Sequence, residues 1–306
     1  MRRTAPLYPI IVLVLLLVVP LRGQEKPSSL PDWPIDLLMN YSITPNVTYA
    51  VGANVECKLD VYARRGPEPG PYPTLIMIHG GGWVAGTKEG SQLNILPYLA
   101  MGFSAVNVEY RLAKASLAPS AVEDCRLALR WVMKNAKAYG FDTARVVISG
   151  GSAGGHLALM TGLLTPEAGF DAPREWDQAT QGMPVAAIVN WFGITDVRDL
   201  LTGVNRQQYA VSWIGSQPDG ERLATRVSPL TYVRKGNPPV LSIHGDNDNL
   251  VPYSHAVRLH KALTEAGVPN QLITVPGGKH GGFPRDAMVS AYATIREFLV
   301  KQRIIH

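Results

Sequence analysis

Cysteine is scarce in this chain: Cys57 and Cys125 are the two among 306 residues. So few exclude a disulfide-built scaffold. With seven scattered histidines they also leave no ligand spacing for a structural zinc, and no metal site is expected. Cys57 falls in a strand-like stretch and Cys125 in a helix-like one, so two small buried thiols are expected rather than a bridge. Excess charge of one sign is scarce too. Of 29 basic residues, Arg2, Arg3 and Arg22 lie in an N-terminal leader, which leaves 26 against 24 acidic residues, a net of +2. No basic stripe interleaved with aromatics occurs, so a nucleic-acid partner has no support. No segment repeats at a fixed period, and beyond the leader no apolar run is long enough to span a bilayer.

What is present begins with an address. Arg2 and Arg3 precede an apolar run from Leu7 to Val19, and Pro20-Leu21-Arg22-Gly23 ends it before the polar Gln24-Glu25-Lys26. A charged head, apolar middle and small-residue end is the pattern of a secretory signal peptide. The run is shorter than the ~20 apolar residues of a spanning helix and contains Pro9. The reading is therefore a signal peptide over residues 1–23, cleaved near Gly23. The mature protein is then exported, to periplasm or medium, without stable membrane insertion. Residues 24–46, with Pro27, Pro31, Pro34 and Pro45, read as a linker and lead-in, and 47–306 as one domain.

Within that domain strands and helices alternate. Val47–Val51 and Val55–Tyr62 flank a Gly52-Ala53-Asn54 turn. Thr74–His79, Ser104–Glu109, Arg145–Ser149, Val185–Trp191, Pro239–Ile243 and Gln271–Val275 are short, apolar and β-branched, as in strands covered on both faces. Ala121–Tyr139 sets Val122, Cys125, Leu129 and Val132 at helical spacing, and His255–Ala266 and Asp286–Gln302 behave alike. The pattern predicts an α/β fold, a mostly parallel central sheet with helices on both faces. Thr165–Pro184 and Thr195–Asn237 break the rhythm, and a small cap is expected at about 195–237.

Two glycine-rich segments carry chemistry. Gly150-Gly151-Ser152-Ala153-Gly154 lies between the strand Val146-Val147-Ile148 and a helical stretch, the context of a nucleophile elbow. There Ser152 is exposed on a strained turn, and the N–H of Ala153 points at a developing oxyanion. His79-Gly80-Gly81-Gly82-Trp83 follows another strand. Consecutive glycines can turn backbone N–H groups inward, so Gly81 and Gly82 are the expected further oxyanion donors. A phosphate-binding loop would need Lys and Ser/Thr at a spacing this segment lacks. Of the seven histidines, His280 lies in a glycine-rich loop after the last strand, where a base can reach Ser152. For the acid, Asp246 and Asp248 both sit after the strand ending at Ile243, in the order Ser, Asp, His that such a fold uses.

These segments, with Glu109-Tyr-Arg-Leu112, Ala121-Val-Glu-Asp-Cys125, Val251-Pro252 and Lys279-His-Gly281, resemble the α/β-hydrolase-fold esterases. The resemblance is to the branch of bacterial hormone-sensitive-lipase-like and carbohydrate-ester (feruloyl or acetylxylan) esterases, and it covers nearly all of residues 24–306. It implies that the acid is Asp248, the last Asp of His244-Gly-Asp-Asn-Asp248, and that Asp246 caps the turn. The chain departs from the lipase-like members, which carry a longer N-terminal cap than residues 24–46 provide, and a more open pocket is expected. The expected activity is a serine carboxylesterase acting through an acyl-enzyme on short-chain or carbohydrate-linked esters, with no cofactor. An amidase, formamidase or peptidase of the same fold is the first alternative. A catalytically silent binding module is the second. Trp83, Trp191 and Trp213 are candidate substrate-binding residues for a small or polysaccharide-linked ester.

Overall fold

The computed structural model describes residues 31–65, 70–171 and 184–306. The leader, its cleavage point and much of Thr165–Pro184 lie outside the described residues. A short helix α1 (Trp33–Asn40) opens the described chain and leads into β1 (Tyr41–Gly52). The lead-in read as ending at residue 46 therefore already contains a helix and half a strand. Four prolines in that stretch concealed both, because Pro34 is accommodated in the first turn of α1, where its missing N–H costs no bond.

β2 (Val55–Arg64) and β3 (Tyr72–Ile78) follow, then α2 (Leu96–Ala100), β4 (Ser104–Val108) and α3 (Ser120–Tyr139). α3 buries Val122, Cys125, Leu129 and Val132 on one face, and Gly140 ends it in the left-handed conformation, its N–H bonded to Ala136 O. β5 (Phe141–Gly151) runs into α4 (Ala153–Leu163), and β6 (Ala187–Trp191) precedes α5 (Gln208–Ile214) and α6 (Gly220–Arg226). β7 (Val240–Gly245), α7 (Ser254–Glu265), β8 (Asn270–Val275) and α8 (Arg285–Lys301) complete the chain.

The strands form one sheet in the order β1-β2-β4-β3-β5-β6-β7-β8. β2 pairs antiparallel with both neighbours, and every pair from β4 to β8 is parallel. One core joins the sheet to α3, α4 and α7, and a second joins its other face to α2 and α8. Both faces are thus covered, which is why β3, β4, β6 and β7 are buried along their whole length. Two of the sequence blocks find their physical meaning here. Arg111, after β4, makes a bidentate pair with Asp124 of α3, at 2.7–3.0 Å, and ties that helix to the segment leaving β4. Cys57 and Cys125 are both buried free thiols.

The chain steps outward from β3 to β4, and after α3 returns to the far side of β3 as β5. Between the carboxyl ends of β3 and β5 the direction of winding reverses, and a crevice opens there. In open α/β sheets ligands bind at such a point.

Candidate active site

β5 delivers Ser152 into that crevice. Its backbone is at φ 58°, ψ −122°, a strained conformation for a residue with a side chain. Glycine flanks it of necessity. A Cβ on Gly150 would lie 2.6 Å from Ile78 O, and one on Gly154 would lie 2.2 Å from the same oxygen. The elbow is pressed so closely onto β3 that no side chain fits on either flank. Ala153 is the first residue of α4, whose opening N–H groups have no partner within the helix.

The loops after β7 and β8 bring the other groups. His280 Nε2 lies 2.8 Å from Ser152 Oγ, and its Nδ1 lies 2.7 Å from Asp248 Oδ2. The other carboxylate oxygen of Asp248 accepts the N–H groups of Leu250 at 2.8 Å and Val251 at 2.9 Å. His244 Nε2 bonds Val251 O at 2.9 Å and stands 3.2 Å from Asp248 Oδ2. Burial alone would raise the Asp248 pKa. The bonds from His244, His280 and the two backbone N–H groups outweigh it and hold the carboxyl well below the usual carboxylate range. An anionic Asp248 takes the Nδ1 proton of His280 in hydrogen bond, which leaves Nε2 free to accept from the serine hydroxyl. Asp246 points elsewhere: its Oδ1 accepts the N–H of Gly277 at 2.6 Å and braces the loop that carries His280.

The loop after β3 supplies the opposite wall. Gly81 and Gly82 adopt φ of 115° and 59°, and both line the cleft with Ser152 and His280. A Cβ on Gly81 would lie 2.0 Å from Ala85 O, and one on Gly82 would meet the Tyr209 side chain at 2.8 Å. His79 stacks on Tyr110 at 4.2 Å and sits with Nδ1 2.7 Å from Gly80 O, bracing the loop from beneath. The next turn is pinned by Lys88, whose buried ammonium meets Asp60 at 3.0 Å and Glu89 at 2.5 Å. The cleft between these walls has a volume of about 570 Å³.

The three tryptophans are placed otherwise than expected. Trp83 and Trp213 are fully buried and stack on each other at 4.1 Å, so neither lines the cleft. Trp83 has φ 61°, and this turn sends its indole back into the core. There Nε1 donates to His156 Nδ1 at 3.2 Å, while His156 Nε2 donates to Val227 O at 2.6 Å. Trp191, 8% exposed, packs against Tyr292 and borders a second, smaller cavity.

Sequence reasoning passed over three residues that matter here. His156 and Tyr209 act on segments remote in sequence and carried no local signature, whereas His244 opens the block that ends at Asp248 and acts within that same turn. Tyr209, on α5, lines the cleft, packs over Gly82 and donates its hydroxyl to Leu250 O at 3.0 Å. α5 thus touches the glycine loop through Tyr209 and Trp213, and the Asp248 loop through Tyr209.

Comparison with known proteins agrees with this architecture. The BD-FAE family profile matches residues 59–263. Esterase LipC of Mycobacterium tuberculosis is 29% identical over 234 residues, which is 73% of this chain and 56% of that protein. A truncated carbohydrate esterase from gut microbiota superimposes with a TM-score of 0.73 at 28% identity, covering 86% of this chain and 97% of that one. Propionate-bound esterase 2 of Thermogutta terrifontis gives 0.72 at 26%, covering 90% and 97%. The chain spans 46% of the curated relative LipM and 14% of the polyketide synthase AscC of Acremonium egyptiacum. With the profile matched over more than half its length and an eight-stranded sheet of this topology, the chain belongs to the BD-FAE family and has the α/β-hydrolase fold.

Proposed function

We propose that this protein is a serine carboxylesterase that hydrolyses short-chain or carbohydrate-linked carboxylic esters. The observation that carries the reading is the continuous relay from Ser152 Oγ through the His280 imidazole to Asp248, at 2.8 and 2.7 Å. Ser152 attacks the ester carbonyl as its proton passes to His280 Nε2. The carbonyl oxygen takes negative charge facing the N–H groups of Gly81, Gly82 and Ala153. Such donors act on charge that exists only in the tetrahedral intermediate, and one of them is typically worth ~10²- to 10³-fold in rate. Collapse of the intermediate breaks the ester C–O bond, and His280 returns the proton to the leaving alcohol. Water then enters by the same route, and the acyl group leaves as a carboxylic acid. Asp248 holds the imidazole tautomer and balances its charge while it is protonated.

The open cleft supports small or chain-borne esters rather than long-chain lipids. The named activities of LipC and of the two superimposed structures support an ester over an amide bond. Residues 195–237, with α5 and α6, act as a small cap, since Tyr209 forms part of the cleft wall. Export through the leader suits an enzyme of extracellular esters, and no helix among the described residues is long and apolar enough to cross a membrane.

The test is direct. Purified protein is expected to hydrolyse nitrophenyl acetate and to take one equivalent of a fluorophosphonate probe on Ser152. Ser152→Ala is expected to lose both while keeping the wild-type circular dichroism. Turnover retained in Ser152→Ala, or cleavage of nitroanilides in preference to esters, would overturn the reading. Acetylated xylan and methyl ferulate, assayed beside the nitrophenyl esters, identify the natural acyl and alcohol parts.

A further inference from the structure

Behind the cleft lies a second cavity of about 170 Å³. The two share three lining residues, Asn94, Gly151 and Phe192. Phe192 is the first residue past β6, and its backbone is held at φ 40°, a region disfavoured for a bulky side chain. Its N–H bonds Ile243 O at 2.8 Å, which ties this conformation to the neighbouring strand. The ring is wedged between the nucleophile elbow and the base loop. A Cβ on Gly151 would lie 3.3 Å from it, and one on Gly281 would lie 3.2 Å from it. The ring also meets His280 edge-on at 4.8 Å and Phe283 at 5.7 Å. Strain held in place by the surrounding structure, beside reacting groups, points to a role in function rather than in folding.

We propose that Phe192 is a partition that sets the acyl-length limit of this enzyme. The cavity behind it is then a latent subsite for an apolar acyl chain or a single ring. The proposal rests on the esterase reading above. The chemistry of this cavity fits such an occupant: Met77, Trp191, Phe283, Met288 and Tyr292 supply most of its side-chain wall, and the polar Asn94 sits where it meets the cleft. A dry cavity of ~150 Å³ with apolar walls is large enough for one benzene ring, so this one takes a ring or a chain of about six carbons. With Phe192 in place, an acyl group on Ser152 is confined to the open cleft. Without the ring, the two spaces join beside Gly151, next to the acylated serine.

The experiment compares kcat/KM for nitrophenyl acetate, butyrate, hexanoate and octanoate in the wild type, Phe192→Ala, Phe192→Leu and Phe192→Ala/Met288→Trp. Ratios between esters are read, because the Phe192 ring also touches His280 and absolute rates will fall. The octanoate-to-acetate ratio is expected to rise at least ~10-fold in Phe192→Ala, since each added methylene in an apolar pocket is worth ~10-fold or more. It is expected to rise less in Phe192→Leu, which keeps much of the bulk and guards against a folding defect. In the double variant an indole fills the hidden cavity, and the ratio is expected to return toward that of the wild type. An unchanged ratio in both single variants would sink the proposal. A raised ratio that Met288→Trp leaves untouched would do so as well, because the chain would then lie elsewhere. A wild type inert toward all four esters would instead remove the esterase reading beneath it.

Discussion

The two aspartates after β7 differ by two positions and do different work. Asp248 receives four donors and faces His280, whereas Asp246 holds Gly277. Asp248→Asn is expected to lower kcat by about 10⁴, as loss of the orienting carboxylate does in this type of relay. Asp246→Asn should leave kcat within about tenfold and show itself in a lower midpoint of thermal denaturation. Equal losses in the two variants would refute the assignment. At this scale Ser152 was read from its strand-turn-helix context and His280 from its place after the last strand and by elimination, but Asp248 outranked Asp246 only by resemblance, since both follow the same strand. Trp191 was chosen from the sequence where Phe192 lies in the cleft wall. Phe192 stands past the end of β6 at a positive φ, a loop conformation that the bare order of residues does not encode. Trp83 was misplaced for a related reason. A positive φ at a tryptophan is a property of the folded loop, and it turns the ring away from the cleft.

Elements fit together through glycine and through one buried histidine. Gly154→Ala is expected to cost more than ~4 kcal/mol or to prevent folding, because the new methyl meets the backbone oxygen of Ile78. Gly90→Ala, with open space around it and no positive φ, should lie within ~0.5 kcal/mol of the wild type by urea titration. His156 joins the glycine loop, the elbow helix and the segment after α6. Burial lowers its pKa to about 4, against a smaller upward pull from its bond to Val227 O. The folded protein therefore binds fewer protons than the unfolded chain between that value and the ordinary histidine range near ~6.5. Stability is full above ~pH 6.5 and falls as the pH drops through this window, by up to ~1.4 kcal/mol per pH unit for this residue. His255, also lowered to about 4 chiefly by burial, adds a slope of the same sign. Urea titrations at pH 7, 6 and 5 should show the decline, and His156→Gln should make it shallower; an unchanged slope would refute the contribution. The periodicity of α3, α7 and α8 was plain in the sequence, while α1 was hidden among prolines. A helix whose outer face shows Ile35, Leu38 and Met39 to solvent gives no amphipathic signal to read.

For the molecule as a whole, alternation of strand and helix revealed an α/β sheet but not its order. Neighbour relations such as β4 outside β3 depend on crossovers that hydrophobic periodicity does not encode. Two covered faces also explain the thiols. Burial pushes Cys57 up to about 12 and Cys125 well above its ordinary value, so neither is a thiolate near neutrality. Native protein at pH 8 should take up no dithionitrobenzoate, and protein in urea should take up two equivalents; rapid labelling of the native form would contradict the packing. Finally, α5 joins loops that arise from opposite halves of the sheet, pressing Tyr209 on Gly82 while its hydroxyl holds Leu250 beside Asp248. Loosening that one short helix would free the Gly82 loop and the loop of Asp248 together. On heating, turnover should therefore vanish as a single event, ahead of the loss of far-ultraviolet signal, and recover fully on cooling from temperatures at which the sheet is still intact.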